Sequence, residues 1–141
     1  SESDGDVVVH NIAALARRHD VVLGVATGKS KRGVKRLFDQ ESWHGAFATI
    51  QTADDNPSKP HPGMILRSMA ETGIAPEATV MIGDTTYDIE MARAAGVGAV
   101  GVAWGYHPVP SLVAAGAHQI AGDARELIAA AEQVLAGLAN E

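Results

Sequence analysis

The sequence predicts a doubly wound α/β fold, in which helices cover both faces of a parallel sheet. Short apolar runs alternate with helical patterns along most of the chain, and this alternation is typical of parallel strands joined by crossover helices. A length of 141 residues and an apolar fraction of 46% suit a single globular domain with a core of small aliphatic side chains. We therefore expect one domain over residues 1–141.

The strands are predicted from short, continuous apolar runs, which are typical of buried strands in a parallel sheet. In chain order the runs are 21–26 (VVLGVA), 47–52 (FATIQT), 79–83 (TVMIG) and 97–103 (VGAVGVA). The segment 118–122 (HQIAG) is a candidate for a further, short edge strand.

The helices are predicted from apolar residues that recur three or four positions apart. The markers of the earlier helices are Val8, Ile12 and Leu15; Val34, Leu37 and Phe38; Ile65, Leu66 and Met69; and the range 89–95. A last helix is expected over residues 124–138. Its expected N-cap is Asp123, because an Asp side chain can accept a hydrogen bond from the first helical turn.

The composition argues against several classes of function. The net charge of −6 disfavours nucleic-acid binding, which needs a basic face for the phosphates. The chain has no cysteine, so a disulfide or thiolate site is excluded and a cytoplasmic location is favoured. Residues 94–122 contain no Asp, Glu, Lys or Arg, but their prolines, histidines and glycines argue against a membrane span. We therefore expect a small-molecule partner, with no nucleic acid and no membrane.

Residues 24–30, GVATGKS, look like a nucleotide-binding loop but have a different spacing. A phosphate loop of that type needs four residues between its first glycine and Gly-Lys-Ser/Thr, whereas only three separate Gly24 from Gly28. Gly24 also lies inside an apolar run, as a strand glycine would. An NTPase in which residues 80–84 (VMIGD) imitate the metal-binding strand is kept as an alternative function.

Polar side chains follow the predicted strands at their carboxyl ends, where ligands of this fold class bind. Thr27 and Gly28 follow the first run, Lys59 stands among prolines after the second run, and Asp84 and Asp88 follow the third run. The hydroxyl and the glycine N–H would bind phosphate oxygens, the lysine would neutralise charge on the phosphoryl group, and Asp84 would hold Mg²⁺. We expect these residues to converge at one sheet edge.

Both carboxylates also have other possible roles. Asp84 is a candidate N-cap of the helix that follows it, and capping does not exclude metal binding. Asp88 lies one helical turn later on the same face, where it can either contact the metal or hold Lys59.

Several other polar and aromatic residues near this edge are interpreted as structural. Asp54 and Asp55 are expected to lie in a solvated turn. His61 and His107 are given no catalytic role. Trp104 and Tyr106 are expected to pack in the loop after the fourth run.

Three segments together resemble the second, third and fourth motifs of the haloacid-dehalogenase superfamily of aspartate-nucleophile phosphatases. They are VVLGVATGKS, SKPHPGM and MIGDTTYDIEMARAAG, and the last is the most specific. The later segment GVAWGYHPVPSLVAAGAHQIAGDARELI is similar to phosphoglycolate-phosphatase-like members. The resemblance implies that Thr27, Gly28 and Lys59 bind the phosphate and that Asp84 and Asp88 belong to the Mg²⁺ site. It also implies that Lys59 and both aspartates take part in catalysis.

The first motif of that family has no proper match in this chain. It is an apolar strand ending in Asp-x-Asp-Gly-Thr, which supplies the aspartate nucleophile and the general acid. Residues 2–6 (ESDGD) have Glu2 at the nucleophile position, Asp6 at the threonine position and no apolar strand before them. We therefore expect the C-terminal core part of a longer phosphatase, without the nucleophile strand and the cap, and inactive by itself.

The resemblance implies hydrolysis of a small phosphorylated metabolite such as phosphoglycolate. A further alternative is a non-catalytic fragment that keeps a phosphate site. In the family, the nucleophile strand lies between the strands that end at Thr27 and at Asp84, so its loss leaves backbone groups unpaired. We expect one of three arrangements: direct pairing of the two strands, a homodimer, or a bound N-terminal fragment that completes the sheet.

Overall fold

The computed structural model describes residues 21–41 and 45–139, in which strands and helices alternate. The strands are β1 Gly24–Ala26, β2 Thr49–Gln51, β3 Val80–Gly83, β4 Gly98–Val102 and β5 Gln119–Ala121. The helices are α1 Lys31–Glu41, α2 Gly63–Thr72, α3 Thr86–Ala95, α4 Val109–Ala115 and α5 Leu127–Ala139. Short 3₁₀ turns precede β3 and α5, at Pro76–Ala78 and Ala124–Glu126.

The described strands form two parallel sheets. β1 pairs with β2, and β4 lies between β3 and β5. The predicted α/β class with parallel pairing is confirmed, and residues 119–121 form the short edge strand. Because β1 and β3 do not pair within the described ranges, direct closure of these two strands is not the arrangement that the chain adopts there.

The central strand β4 shows why the fold needs helices on both faces. All five of its residues are buried, and alternate side chains point to opposite faces of the sheet. Ala99 belongs to a core cluster with α3 and α4, whereas Val100 and Val102 belong to a second cluster with α5. Burial on both faces explains why the sequence of this strand is continuously apolar.

Helix α2 connects the two sheets through the first of these clusters. Its buried residues Met64 and Ile65 pack with Ile89 and Met91 of α3, and Ala26 of β1 packs against the same cluster. Shared apolar packing therefore holds the end of β1 next to the helix that follows β3.

Several boundaries differ from the predicted ones. β1 and β2 each contain three residues, although the hydrogen bonds Ala48 N to Leu23 O (2.8 Å) and Thr27 N to Gln51 O (3.0 Å) extend their pairing at both ends. Helix α4 was not among the predicted helices, and it has prolines at its start. Proline is compatible with a first helical turn, where the backbone N–H has no partner within the helix.

The last helix begins later than predicted. The predicted first turn, Ala124–Glu126, is a separate 3₁₀ turn before α5. Asp123 caps this turn, because its carboxylate accepts a hydrogen bond from Arg125 N at 2.9 Å. Asp123 is therefore confirmed as the cap of this segment. The helix predicted around Val8, Ile12 and Leu15 lies outside the described residues.

Among the helices in the described part of the chain, none is long and apolar enough to cross a bilayer.

Leu112 in α4 tests the packing of the first cluster. Its side chain is 0% exposed, so Leu112→Ala should lower the free energy of unfolding by about 2–5 kcal/mol. The matched control is Val113→Ala in the same helix, because Val113 is 54% exposed and its truncation should cost no more than about 0.5 kcal/mol. Urea unfolding of both variants measures the difference, and equal losses would contradict this assignment of the buried face.

Candidate functional site

A buried carboxylate lies at the carboxyl end of β3. Asp88 is 4% exposed, and its Oδ2 accepts hydrogen bonds from Asp84 N (3.2 Å), Thr85 N (3.2 Å) and Thr85 Oγ1 (3.0 Å). In return, Thr85 Oγ1 accepts from Asp88 N at 3.2 Å. This reciprocal pattern is a capping box, so the N-cap of α3 is Thr85. Asp84, the candidate cap from the sequence, lies one residue earlier and its side chain remains available for another role.

The second oxygen of Asp88 holds a lysine. Lys59 Nζ lies 2.5 Å from Asp88 Oδ1, with side-chain exposures of 20% and 6% for Lys59 and Asp88. The two oxygens of Asp88 thus accept four hydrogen bonds. Of the two roles predicted for Asp88, these contacts favour holding Lys59.

Glycine at position 83 is required by the placement of Asp88. A Cβ on Gly83 would lie 2.3 Å from Asp88 Cβ and 2.6 Å from its Cγ and Oδ2. The carboxylate therefore lies directly over the end of β3, where only a residue without a side chain leaves room for it.

The carboxylate of Asp84 contacts the loop after β4. Tyr106 N donates to Asp84 Oδ2 at 3.1 Å, and His107 N donates to the carbonyl oxygen of Asp84 at 3.0 Å. A Cβ on Gly105 would lie 2.1 Å from Asp84 Cβ, so this loop approaches Asp84 as closely as a glycine permits.

A polar network under β2 positions the loop that carries Lys59. Asn56 Nδ2 donates to Gln51 Oε1 (3.1 Å) and to the carbonyl oxygen of Thr52 (3.0 Å). Gln51 Nε2 donates to Thr49 Oγ1 (3.0 Å), and that hydroxyl donates to Glu71 Oε1 (2.7 Å). The hydrogen bond from Thr49, with a smaller contribution from Gln51, holds the pKa of Glu71 below its ordinary value.

The buried face of β2 is therefore polar. Thr49 and Gln51 are 5% and 3% exposed, whereas Ile50 between them is 41% exposed. These buried polar groups are tolerated because they are hydrogen-bonded to one another. The same hydrogen bonds attach the start of the loop that carries Lys59 to β2.

Thr27 and Gly28 lie at the carboxyl end of β1. Thr27 Oγ1 accepts a hydrogen bond from Lys29 N at 3.1 Å, and Gly28 is exposed. Within the described ranges, no hydrogen bond links either residue to Lys59, Asp84 or Asp88. The structure thus brings the lysine and the two aspartates together, and convergence with Thr27 and Gly28 stays a prediction.

Gly24 is a strand residue and not the first glycine of a phosphate loop. It begins β1 and pairs with Thr49. A Cβ on Gly24 would lie 2.7 Å from Thr49 Cγ2, so the close approach of the two strands explains the glycine.

The sequence interpretation missed a contact between the loop after β2 and helix α1. Asp54 Oδ2 accepts from Lys31 N at 2.8 Å, and Asp55 Oδ2 lies 2.8 Å from Lys31 Nζ. The hydrogen bond and the charge of Asp55 raise the pKa of Lys31. The available signal was that α1 has no acidic residue in its own first turn, where negative charge is favourable.

The aromatic residues after β4 differ in their roles. Trp104 packs against the second core cluster, as expected. The prediction that Tyr106 packs in this loop was wrong, because its side chain is 82% exposed. The histidines have structural contacts, since His107 Nδ1 accepts from Thr86 N (2.8 Å) and His61 Nδ1 accepts from Gly63 N (3.0 Å).

The donors for a metal are few among the residues that the structure describes. No group of three or more His, Cys, Asp or Glu side chains surrounds a common point there. Mg²⁺ is usually bound by one or two carboxylates together with water and substrate phosphate oxygens. Asp84 fits that chemistry, because Tyr106 N–H occupies only one of its two carboxylate oxygens.

Known proteins match most of this chain. The sequence profile of a family described as haloacid dehalogenase-like hydrolase matches residues 7–102, a range that contains every candidate site residue. A protein of Dickeya dadantii named Probable phosphatase IndB is 37% identical over 86% of this chain and 54% of its own length. The phosphoglycolate phosphatase of Pseudomonas putida is 35% identical over 64% of this chain and 34% of its own length.

A solved structure has the same fold. A conserved haloacid dehalogenase-like protein from Agrobacterium tumefaciens matches with a TM-score of 0.74 and 26% identity, over 90% of this chain and 59% of that protein. This chain spans about half the length, or less, of the curated relatives described above.

Gly83→Ala should displace the carboxylate of Asp88. The added methyl group overlaps Asp88, so we expect a loss of about 1–3 kcal/mol in the free energy of unfolding. Gly28→Ala is the matched control, because a Cβ there meets no atom within 4 Å and should change stability by no more than about 0.5 kcal/mol. Chemical denaturation of both variants checks this, and indistinguishable stabilities would contradict the placement of Asp88.

Thr49→Val should raise the pKa of Glu71 towards its ordinary value. The folded-state pKa is depressed, so the associated stability is present above the unfolded-state pKa and is lost as pH falls through the folded-state pKa. Without the Thr49 hydroxyl, less of the free energy of unfolding should be lost as the pH falls through this range. NMR titration of the Glu71 carboxyl carbon measures the shift, with Thr72→Val as control because Thr72 Oγ1 donates to Ser68 O. An unchanged pKa in Thr49→Val would refute the cause given.

Proposed function

The chain belongs to the haloacid dehalogenase-like hydrolase family, and we propose that it forms the core part of a Mg²⁺-dependent phosphatase for a small phosphorylated metabolite. The observation that carries the proposal is the ion pair of half-buried Lys59 with buried Asp88, next to Asp84. The name of the Pseudomonas putida relative supports phosphoglycolate as the candidate substrate.

Lys59 is held so that part of its ammonium group is free to bind phosphate. An ammonium group has three N–H donors, and the hydrogen bond to Asp88 uses one of them. The remaining donors would bind phosphoryl oxygens and neutralise the charge that develops on them during transfer. Asp88 acts here as a positioning residue for the lysine.

The hydroxyl of Thr27 can donate a hydrogen bond to the same phosphate. Its oxygen already accepts from Lys29 N, so its own hydrogen is available to donate. The N–H of Gly28 is the second proposed donor at this end of β1. Thr27, Gly28 and Lys59 all follow strands of the sheet formed by β1 and β2. They would bind the phosphate from that side, opposite Asp84.

Asp84 is the proposed metal ligand of this chain. One carboxylate oxygen is fixed by Tyr106 N–H, and the other would bind Mg²⁺, as oxygen donors suit this hard cation. Bound Mg²⁺ would neutralise phosphoryl oxygens and orient them.

We propose that the nucleophile and the general acid come from a further strand between β1 and β3. An aspartate of that strand would attack phosphorus, a second aspartate would protonate the leaving alcohol, and water would then hydrolyse the aspartyl phosphate. Within the described residues, β3 pairs with β4 on one side only, and its other edge supports this placement. A bound N-terminal fragment would supply this strand, whereas a second copy of the chain would complete the sheet without supplying the nucleophile.

Binding of inorganic phosphate in the presence of Mg²⁺ tests the site. We expect Thr27→Val and Lys59→Gln to weaken binding about tenfold or more, since hydrogen bonds to a charged group contribute about 1.5–3 kcal/mol. Thr79→Val is the matched control for Thr27→Val, because Thr79 precedes β3 and its hydroxyl donates to Ala75 O. Isothermal titration calorimetry measures the affinities.

The same samples test the catalytic part of the proposal. The chain alone should release no phosphate from phosphoglycolate with Mg²⁺, because an anchored phosphate still needs a nucleophile. Unaltered phosphate affinity in Lys59→Gln would refute the site. Mg²⁺-dependent turnover that Asp84→Ala abolishes would instead refute the external nucleophile.

A further inference from the structure

The loop after β4 contacts the turn after β3 at three different groups. Its Tyr106 N–H donates to the carboxylate of Asp84, its His107 N–H donates to the carbonyl of Asp84, and the His107 ring accepts from Thr86 N–H. Two of these contacts are made by backbone N–H groups, so the loop must be held in one conformation for them to form.

The ring of His107 supplies that restraint. Thr86 is the first residue of α3, and the first N–H groups of a helix have no partner within it. His107 Nδ1 accepts one of them at 2.8 Å, which requires an unprotonated Nδ1. The ring is also flanked by Tyr87 and Tyr106, with ring centroids at 5.7 and 5.3 Å. The histidine side chain therefore ties the loop to the helix directly beside Asp84.

From these contacts we propose that His107 is a positioning residue for the metal-binding carboxylate of Asp84. It acts through the backbone of its own loop: the imidazole fixes the loop on α3, and the fixed loop presents Tyr106 N–H to Asp84 Oδ2. One carboxylate oxygen is then held in place, and the other would be available to bind Mg²⁺. The inference rests on the proposed function, in which Asp84 binds Mg²⁺.

Gly105 makes this arrangement possible. With a Cβ on Gly105 only 2.1 Å from Asp84 Cβ, any side chain at this position would push the loop away from the carboxylate. Tyr106, by contrast, is 82% exposed, and its contact with Asp84 is made by its backbone N–H.

The affinity for Mg²⁺ in the full chain tests the inference. His107→Ala should weaken Mg²⁺ binding about tenfold, as is typical when a group that orients a ligand is removed. His107→Asn should keep the affinity within about twofold, because the Asn amide oxygen can accept from Thr86 N–H in place of Nδ1. Tyr106→Ala should also stay within about twofold, since its backbone N–H remains. Calorimetric titration with MgCl₂ measures all variants.

Hydrogen exchange of the Tyr106 amide gives a second readout that needs no metal. Exchange should be about tenfold faster in His107→Ala and in Asp84→Ala, which has no side-chain acceptor for Tyr106 N–H, than in the unaltered chain, and nearly unchanged in His107→Asn. These rates decide the inference if the unaltered chain binds Mg²⁺ too weakly to titrate. They also separate a local effect from unfolding, which would accelerate exchange throughout the core.

The possible failures can be told apart. If Asp84→Asn loses Mg²⁺ binding while His107→Ala keeps it, the positioning role is wrong and the proposed metal site stands. If Asp84→Asn binds Mg²⁺ as the unaltered chain does, the metal assignment of the proposed function is wrong, and the role of His107 is overturned with it. Equal Tyr106 exchange in His107→Ala and the unaltered chain also overturns the role of His107.

Discussion

The carboxylate of Asp88 is the constraint on which the site depends. It is almost completely buried, and its two oxygens accept four hydrogen bonds, from the backbone of Asp84 and Thr85, the hydroxyl of Thr85 and the amine of Lys59. A buried charge is tolerated only when it is paired and hydrogen-bonded. Satisfying Asp88 therefore fixes the turn after β3, begins helix α3 and places a lysine from a distant loop, all at one sheet edge.

The rest of the fold brings these partners within reach. Packing of α2 against α3 and β1 holds the two sheets together, while the polar face of β2 and Asn56 fasten the start of the loop that carries Lys59. On the other side, the loop after β4 contacts the carboxylate of Asp84. The candidate site is thus built from loops at the carboxyl ends of parallel strands, and each loop is held by contacts of its own.

The class of the fold and much of the site could be predicted because both follow from local patterns. Apolar runs reveal buried strands, and parallel strands bring the residues after them to one edge. Helix α4 was missed because it is only seven residues long, which is too short to show a helical repeat. The contact of Asp54 with Lys31 depends on how the loop after β2 meets helix α1, and its one local sign is the lack of an acidic residue in the first turn of α1. The part played by Tyr106 depends on its backbone, which has no local signature.

The most direct test of the central claim is a crystal structure of the chain with Mg²⁺ and tungstate, an analogue of phosphate with a strong anomalous signal. We expect tungstate between Thr27 and Lys59, Mg²⁺ on Asp84, and Lys59 still paired with Asp88. Tungstate bound elsewhere, or Lys59 Nζ more than about 10 Å from the carboxylate of Asp84, would contradict the account, because the lysine and the metal could not then act on one phosphoryl group.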